Sequence, residues 1–169
     1  MPHKRTEIKE GLLLILREAV KELTFDVRQD VQGQVNAGQN TPFYDQPIRR
    51  PTELYGRPIF ALQIPSEQAE DWGEVLAKES RSFDLVITVT LYNPAHDANG
   101  GTIGPDYLAE IGVLLESILL TARPPLPSIN LVEFEGYTYE FLEEGTEQEI
   151  LNGTWQFKMT YSLERGHGA

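Results

Sequence analysis

Cysteine is absent from the 169 residues. That absence rules out disulfides, thiolate metal sites and cysteine nucleophiles, and it leaves the redox compartment open. Long apolar runs are missing too. The longest, residues 12–16, is far short of the ~20 residues a helix needs to span a bilayer. His3-Lys4-Arg5 imitates the basic start of a leader, but Glu7, Glu10, Arg17 and Glu18 interrupt any apolar segment behind it. The expectation is a cytoplasmic chain without a membrane segment.

Positive charge is scarce. Lys and Arg number 14 against 26 Asp and Glu, a formal net charge of −12. A general nucleic-acid binder is disfavoured, because neutralising phosphates is the main source of that affinity. Histidine is scarcer still, and two of the three, His3 and His167, sit at the termini, so no histidine metal cluster can be assembled from spacing. The apolar share, 40%, is ordinary, and the length suits one domain able to bury a core without staples.

The remaining charge is unevenly placed. Residues 131–150 hold seven glutamates, including Glu143, Glu144 and Glu147, and no Lys or Arg. Cations collect at His3-Lys4-Arg5 and at Arg49, Arg50 and Arg57. The acidic stretch is either a solvated face or a surface that meets a basic partner or repels DNA. The arginines either neutralise carboxylates of their own chain or contact a neighbouring copy.

Periodicity organises the rest. A helix is expected over 7–23, capped by Thr6, with Ile8, Leu12, Ile15, Leu16, Ala19 and Leu23 on one stripe. Residues 26–58, rich in Gly, Gln, Asn and Pro, show no sustained period and are expected to be a long interaction loop. A short strand over 59–64 ends at Pro65, and 65–80 forms a second long connection around Trp72. Trp72, with Tyr44 and Tyr55, must either tuck onto the core or be buried by a partner.

Residues 81–92 alternate strictly. Phe83, Leu85, Ile87, Val89 and Leu91 take one face, so the sheet should be covered on one side only. A second helix is expected over 105–121, opened by Pro105 and stopped by Pro124-Pro125. Strands follow at 129–134 and 137–142. Asn152-Gly153 signals a turn before a last one-sided strand carrying Trp155, Phe157, Met159 and Tyr161. The tail, 164–169, should be loose.

The stretch "LYNPAHDANGGTIGPDYLAEIGVLL" (91–115) joins strand, glycine-rich loop and helix, as phosphate sites do. A Walker loop, however, needs Gly-Lys-Ser/Thr at the helix start, and here Pro105 removes an amide while Asp106 repels anions. Asp97-x-Asn99 begins like a calcium loop but has Gly101 at the fifth position and Leu108 at the twelfth. Adjacent His96-Asp97 cannot readily face each other as base and orienting carboxylate. With 26 acids, paired carboxylates of the glycosidase kind arise by chance. No catalytic, metal or cofactor residues are expected.

The element order is an N-terminal helix, a long loop, a strand after "YGRP", the long strand "RSFDLVITVTLYNP", the helix "DYLAEIGVLLESIL" and the closing strand "NGTWQFKMTYSLE". In this it resembles the tail terminator (tail completion, minor tail protein U-like) family of long-tailed bacteriophages, and more broadly the head–tail joining proteins. The resemblance spans residues 8–163. It implies an α+β fold with a mostly antiparallel (mixed) sheet of about four strands and two helices on one face. It further implies a homo-oligomeric, hexameric ring in the virion tail or neck, assembled in the host cytoplasm. That ring would cap the tail tube and dock it to the head, with tail tube and head–tail connector proteins as partners and DNA passing through the lumen without specific binding. The family's function lies in surfaces, so no catalytic residues carry over, and the candidate interface is Arg49, Arg50, Arg57, Trp72, Glu143, Glu144 and Glu147. The long 26–58 segment and the acidic 131–151 stretch exceed a minimal member. A connector or adaptor ring is therefore the alternative, and a small cytoplasmic enzyme using the 92–106 loop is the alternative of a different class.

Overall fold

The computed structural model describes residues 3–28, 43–44, 56–70, 78–121, 125–143 and 149–164. The first element, α1, spans Lys4–Val20. His3, not Thr6, caps it: the imidazole accepts a hydrogen bond from the Arg5 amide. The buried stripe of α1 is Ile8, Leu12, Leu13, Leu16 and Val20, while Ile15 and Ala19, expected on that stripe, are half-buried. A two-residue strand β1 (Phe43–Tyr44) and a long strand β2 (Ile59–Glu70) follow.

Strand β2 corrects the expected end at Pro65. The chain keeps its pairing through a bulge between Gln63 and Ser66, where proline's missing N–H costs no ladder bond. The partner β3 begins at Lys78 (Lys78–Tyr92), so most of the expected 65–80 connection is strand, and only 71–77, including Trp72, lie outside the described residues. Helix α2 spans Gly104–Leu119. The two strands expected at 129–134 and 137–142 are one, β4 (Ile129–Glu143), continuous through a bulge between Phe134 and Gly136. The last strand, β5 (Ile150–Glu164), starts five residues before Trp155, so Asn152-Gly153 lies within a strand and makes no turn.

The sheet order is β1-β2-β3-β5-β4. Four long strands pair antiparallel, and β1 adds parallel to β2. This is an α+β fold, with both helices contributing to one core cluster against one face of the sheet. Phe83, Leu85, Ile87, Val89 and Leu91 are at most 1% exposed and share that core with Leu108, Ile111, Leu115, Trp155, Phe157, Met159 and Tyr161. Ile118 packs at its margin. On the other face Asp84, Val86, Thr88 and Thr90 are half-buried only. At one end Phe25 bridges to a satellite cluster of Val27, Ile59, Tyr92 and Ile150.

A staple ties α1 to the sheet. Glu67 of β2 accepts a hydrogen bond from the Tyr161 hydroxyl and pairs through its other oxygen with Arg5 at 3.1 Å. Burial, followed by this carboxylate, pushes the Tyr161 phenol up to about 12.

Candidate interaction surface

The strand-to-helix loop after β3 is tightly bonded. Asn93 holds a left-handed conformation (φ 50°) and is buried. Its side-chain oxygen accepts from the Glu149 amide at 2.7 Å, and its own amide donates to the Glu149 carbonyl at 2.8 Å. Asp97 Oδ1 accepts from the amides of Asn99 (2.9 Å) and Gly101 (2.8 Å), closing a turn whose Gly100 has φ 84°. The carboxylate of Asp97 is thus spent on its own loop and does not orient His96.

His96 reaches elsewhere. Its Nε2 lies 3.0 Å from Glu149 Oε1, and its Nδ1 lies 3.0 Å from the Gly100 carbonyl. Both neighbours are acceptors, so an imidazolium donates to both, whereas a neutral ring donates to one. The Glu149 side chain is only 6% exposed. This glutamate departs from the solvated acidic face expected of 131–150. The pair clasps the loop to the start of β5, which is a positional role. Among the described residues no three His, Asp or Glu side chains gather closely enough to hold a metal ion, and no helix is long and apolar enough to cross a membrane.

The sheet face away from the helices is mostly polar on β2, β3 and β5, with Ala61 and Val86 among its residues. Registers place Gln63, Ser66, Asp84, Thr88, Thr90, Asn152, Thr154, Gln156, Lys158 and Thr160 together on it. A shallow depression of about 200 Å³ there is lined by Ser66, Gln68, Ser82, Asp84, Glu135 and Lys158. Ser66 donates to Asp84 at 2.8 Å. Partial desolvation, then a hydrogen bond to Asp84 and that residue's charge, hold the Glu135 carboxyl above its usual range.

Strand β4 forms one edge of the sheet. Seven large apolar side chains are exposed among the described residues, and four of them, Leu131, Phe134, Tyr139 and Leu142, lie on β4. Its ionisable groups apart from tyrosine are Glu133, Glu135, Glu140 and Glu143. Glu133 and Glu140 sit beside Lys158 and Asn152 in register.

Of the residues expected at an interface, Arg49, Arg50, Trp72, Glu144 and Glu147 lie outside the described residues. Glu143 ends β4, opposite Ile150. Arg57 is half-buried and reaches the Leu23 carbonyl of its own chain at 3.5 Å, so it helps close the end of α1. Sequence reasoning missed the apolar half of the β4 edge, although Leu131, Phe134, Tyr139 and Leu142 stand among the counted glutamates. It also missed the His96–Glu149 pair, whose members are 53 positions apart. No protein-family model and no curated protein matches the chain by sequence.

Proposed function

We propose that this protein is a structural ring subunit of a long-tailed phage, capping the tail tube and joining the tail to the head. The observation that supports the proposal is the α+β sheet with both helices on one face, in which a helix, two long strands, a second helix and the closing strand β5 follow in the order on which the tail terminator resemblance rests. Three further features support it. The side chains of His96 and Asp97 are engaged in holding the 93–103 loop, which favours a structural role over a catalytic one. The exposed β4 edge offers a surface for assembly. The net charge of −12 suits a ring through which DNA slides without sticking.

In this role Arg49 and Arg50 meet carboxylates of the 133–149 stretch on a neighbouring copy. The planar guanidinium suits such contacts because it pairs with a carboxylate through two hydrogen bonds. The test is genetic. Phage lacking the chain should accumulate filled heads and separate tails, and supplying the purified protein should join them. Joined, infectious particles in its absence would overturn the proposal.

A further inference from the structure

We infer that His96 is a proton-operated clasp: its charged imidazole holds the 93–103 loop against Glu149, and loss of the ring proton loosens that loop as pH rises. The device is local to this loop and holds whether or not copies of the chain form a ring.

The imidazole sits between two acceptors. Its Nε2 lies 3.0 Å from Glu149 Oε1, and its Nδ1 lies 3.0 Å from the Gly100 carbonyl oxygen. Only the imidazolium carries a proton on both nitrogens. In one neutral tautomer a bare Nδ1 lone pair faces the carbonyl, and in the other a bare Nε2 faces the carboxylate. Either way two acceptors meet at hydrogen-bond distance, and one contact turns repulsive. The Glu149 side chain is 6% exposed, so water cannot readily replace a lost donor, and an unpaired buried carboxylate is costly. The imidazole, 35% exposed, stays open to protons from solvent. A buried acceptor tied to an exposed, titratable donor responds to pH in the neutral range.

No neighbouring charge takes over from the ring. Asp97 Oδ1 is occupied by the amides of Asn99 and Gly101. The other charged groups on the elements packed around the pair are Asp26 and Arg28 after α1, Asp106 in the first turn of α2 and Glu143 at the end of β4. Among the described residues, Glu149 is the group that pairs with the ring. The clasped loop also sets the start of α2. His96 bridges to Thr102, the Ile103 amide donates to the Ala95 carbonyl at 3.0 Å, and the Thr102 hydroxyl accepts from the Gly104 amide at 3.3 Å. The base of the loop is held separately, by Asn93 on the Glu149 main chain, where nothing titrates. Opening is therefore confined to residues 95–103.

Residue-resolved amide exchange tests the clasp, read as protection relative to an unstructured chain at the same pH, between about pH 5.5 and about pH 8. Protection of the Asp97, Gly101 and Ile103 amides should fall several-fold as pH rises, while that of β3 and β5 stays constant. His96→Gln, which does not titrate, should make loop protection independent of pH. His3→Gln, at the ring that caps α1, should leave the dependence in place. Loop protection in the unsubstituted chain that does not change with pH would overturn the inference, as would a change that survives His96→Gln. Should His96→Gln fail to fold, nitrogen NMR of the His96 ring in the unsubstituted chain decides. Both ring nitrogens should carry protons while the loop is protected, and one proton should leave in step with the protection. A neutral ring throughout the protected range would overturn the inference.

Discussion

Gly112 of α2 faces the indole of Trp155, and a Cβ on that glycine would come within 2.8 Å of Nε1. Gly153, on the neighbouring side of the ring, would bring a Cβ to 2.9 Å from the Trp155 ring carbon Cη2. Tyr137 stacks on the same indole with centroids 4.6 Å apart. The largest buried side chain therefore sits in a slot made by two missing methyl groups.

Substitution should reveal that slot. Gly112→Ala and Gly153→Ala each overpack a core that cannot easily shift and should cost about 1–3 kcal/mol in urea unfolding. Gly136→Ala is the control, because nothing lies within 4 Å of its Cβ position. It should be neutral or slightly stabilising. Equal effects at all three glycines would mean that backbone freedom, not space around Trp155, is what they provide.

Ile87 is fully buried at mid-strand in β3. Ile87→Ala should destabilise by about 2–5 kcal/mol. A change within about 0.5 kcal/mol, usual for surface sites, would contradict the assignment of the core face.

Alkali should unfold the protein in a defined window. Burial first, then Glu67, raises Tyr161 from the ordinary 10.0 to about 12, and burial followed by Glu110 raises Tyr107 likewise. A folded-state pKa above the unfolded one means that the native state favours the neutral phenol. Its contribution is complete below about pH 10 and is lost as pH rises through about 12. Tyr161→Phe should weaken stability at neutral pH, where the hydrogen bond to Glu67 is lost, yet flatten the decline above pH 10. An unchanged slope in chemical unfolding across that window would remove Tyr161 as its source.

His96→Ala with Asp97→Ala should lower stability but not assembly. Without the imidazole, the buried Glu149 carboxylate loses its side-chain partner, a loss of about 1–3 kcal/mol. Glu149→Gln, which keeps an acceptor and sheds the charge, should cost less. A double variant that folds yet fails to join heads and tails would place function in this loop.

Much of this architecture was legible from period alone. The alternation of 83–91 and of 155–161 marks one covered face, and the structure buries those residues as expected. What misled were residues whose local preference is overridden by tertiary packing. Pro65 reads as a strand end, but on a bulged edge its missing donor is harmless. Asn152-Gly153 reads as a hairpin turn, yet Gly153 is there to admit the Trp155 ring. Bulges between Phe134 and Gly136 and between Phe141 and Glu143 break the alternation of β4, so one strand reads as two. The His96–Glu149 clasp joins two segments that no local pattern links. The β4 edge was seen only as charge, because topology, not sequence, decides which strand is left unpaired.

Ring formation is most directly tested by the mass of the purified chain in solution, measured by sedimentation equilibrium and paired with negative-stain images. A single closed oligomer near six times 19.1 kDa, seen as annuli with an open centre, is the expected result. A 19.1 kDa monomer at every soluble concentration, or open filaments of no fixed size, would contradict a tail-capping ring.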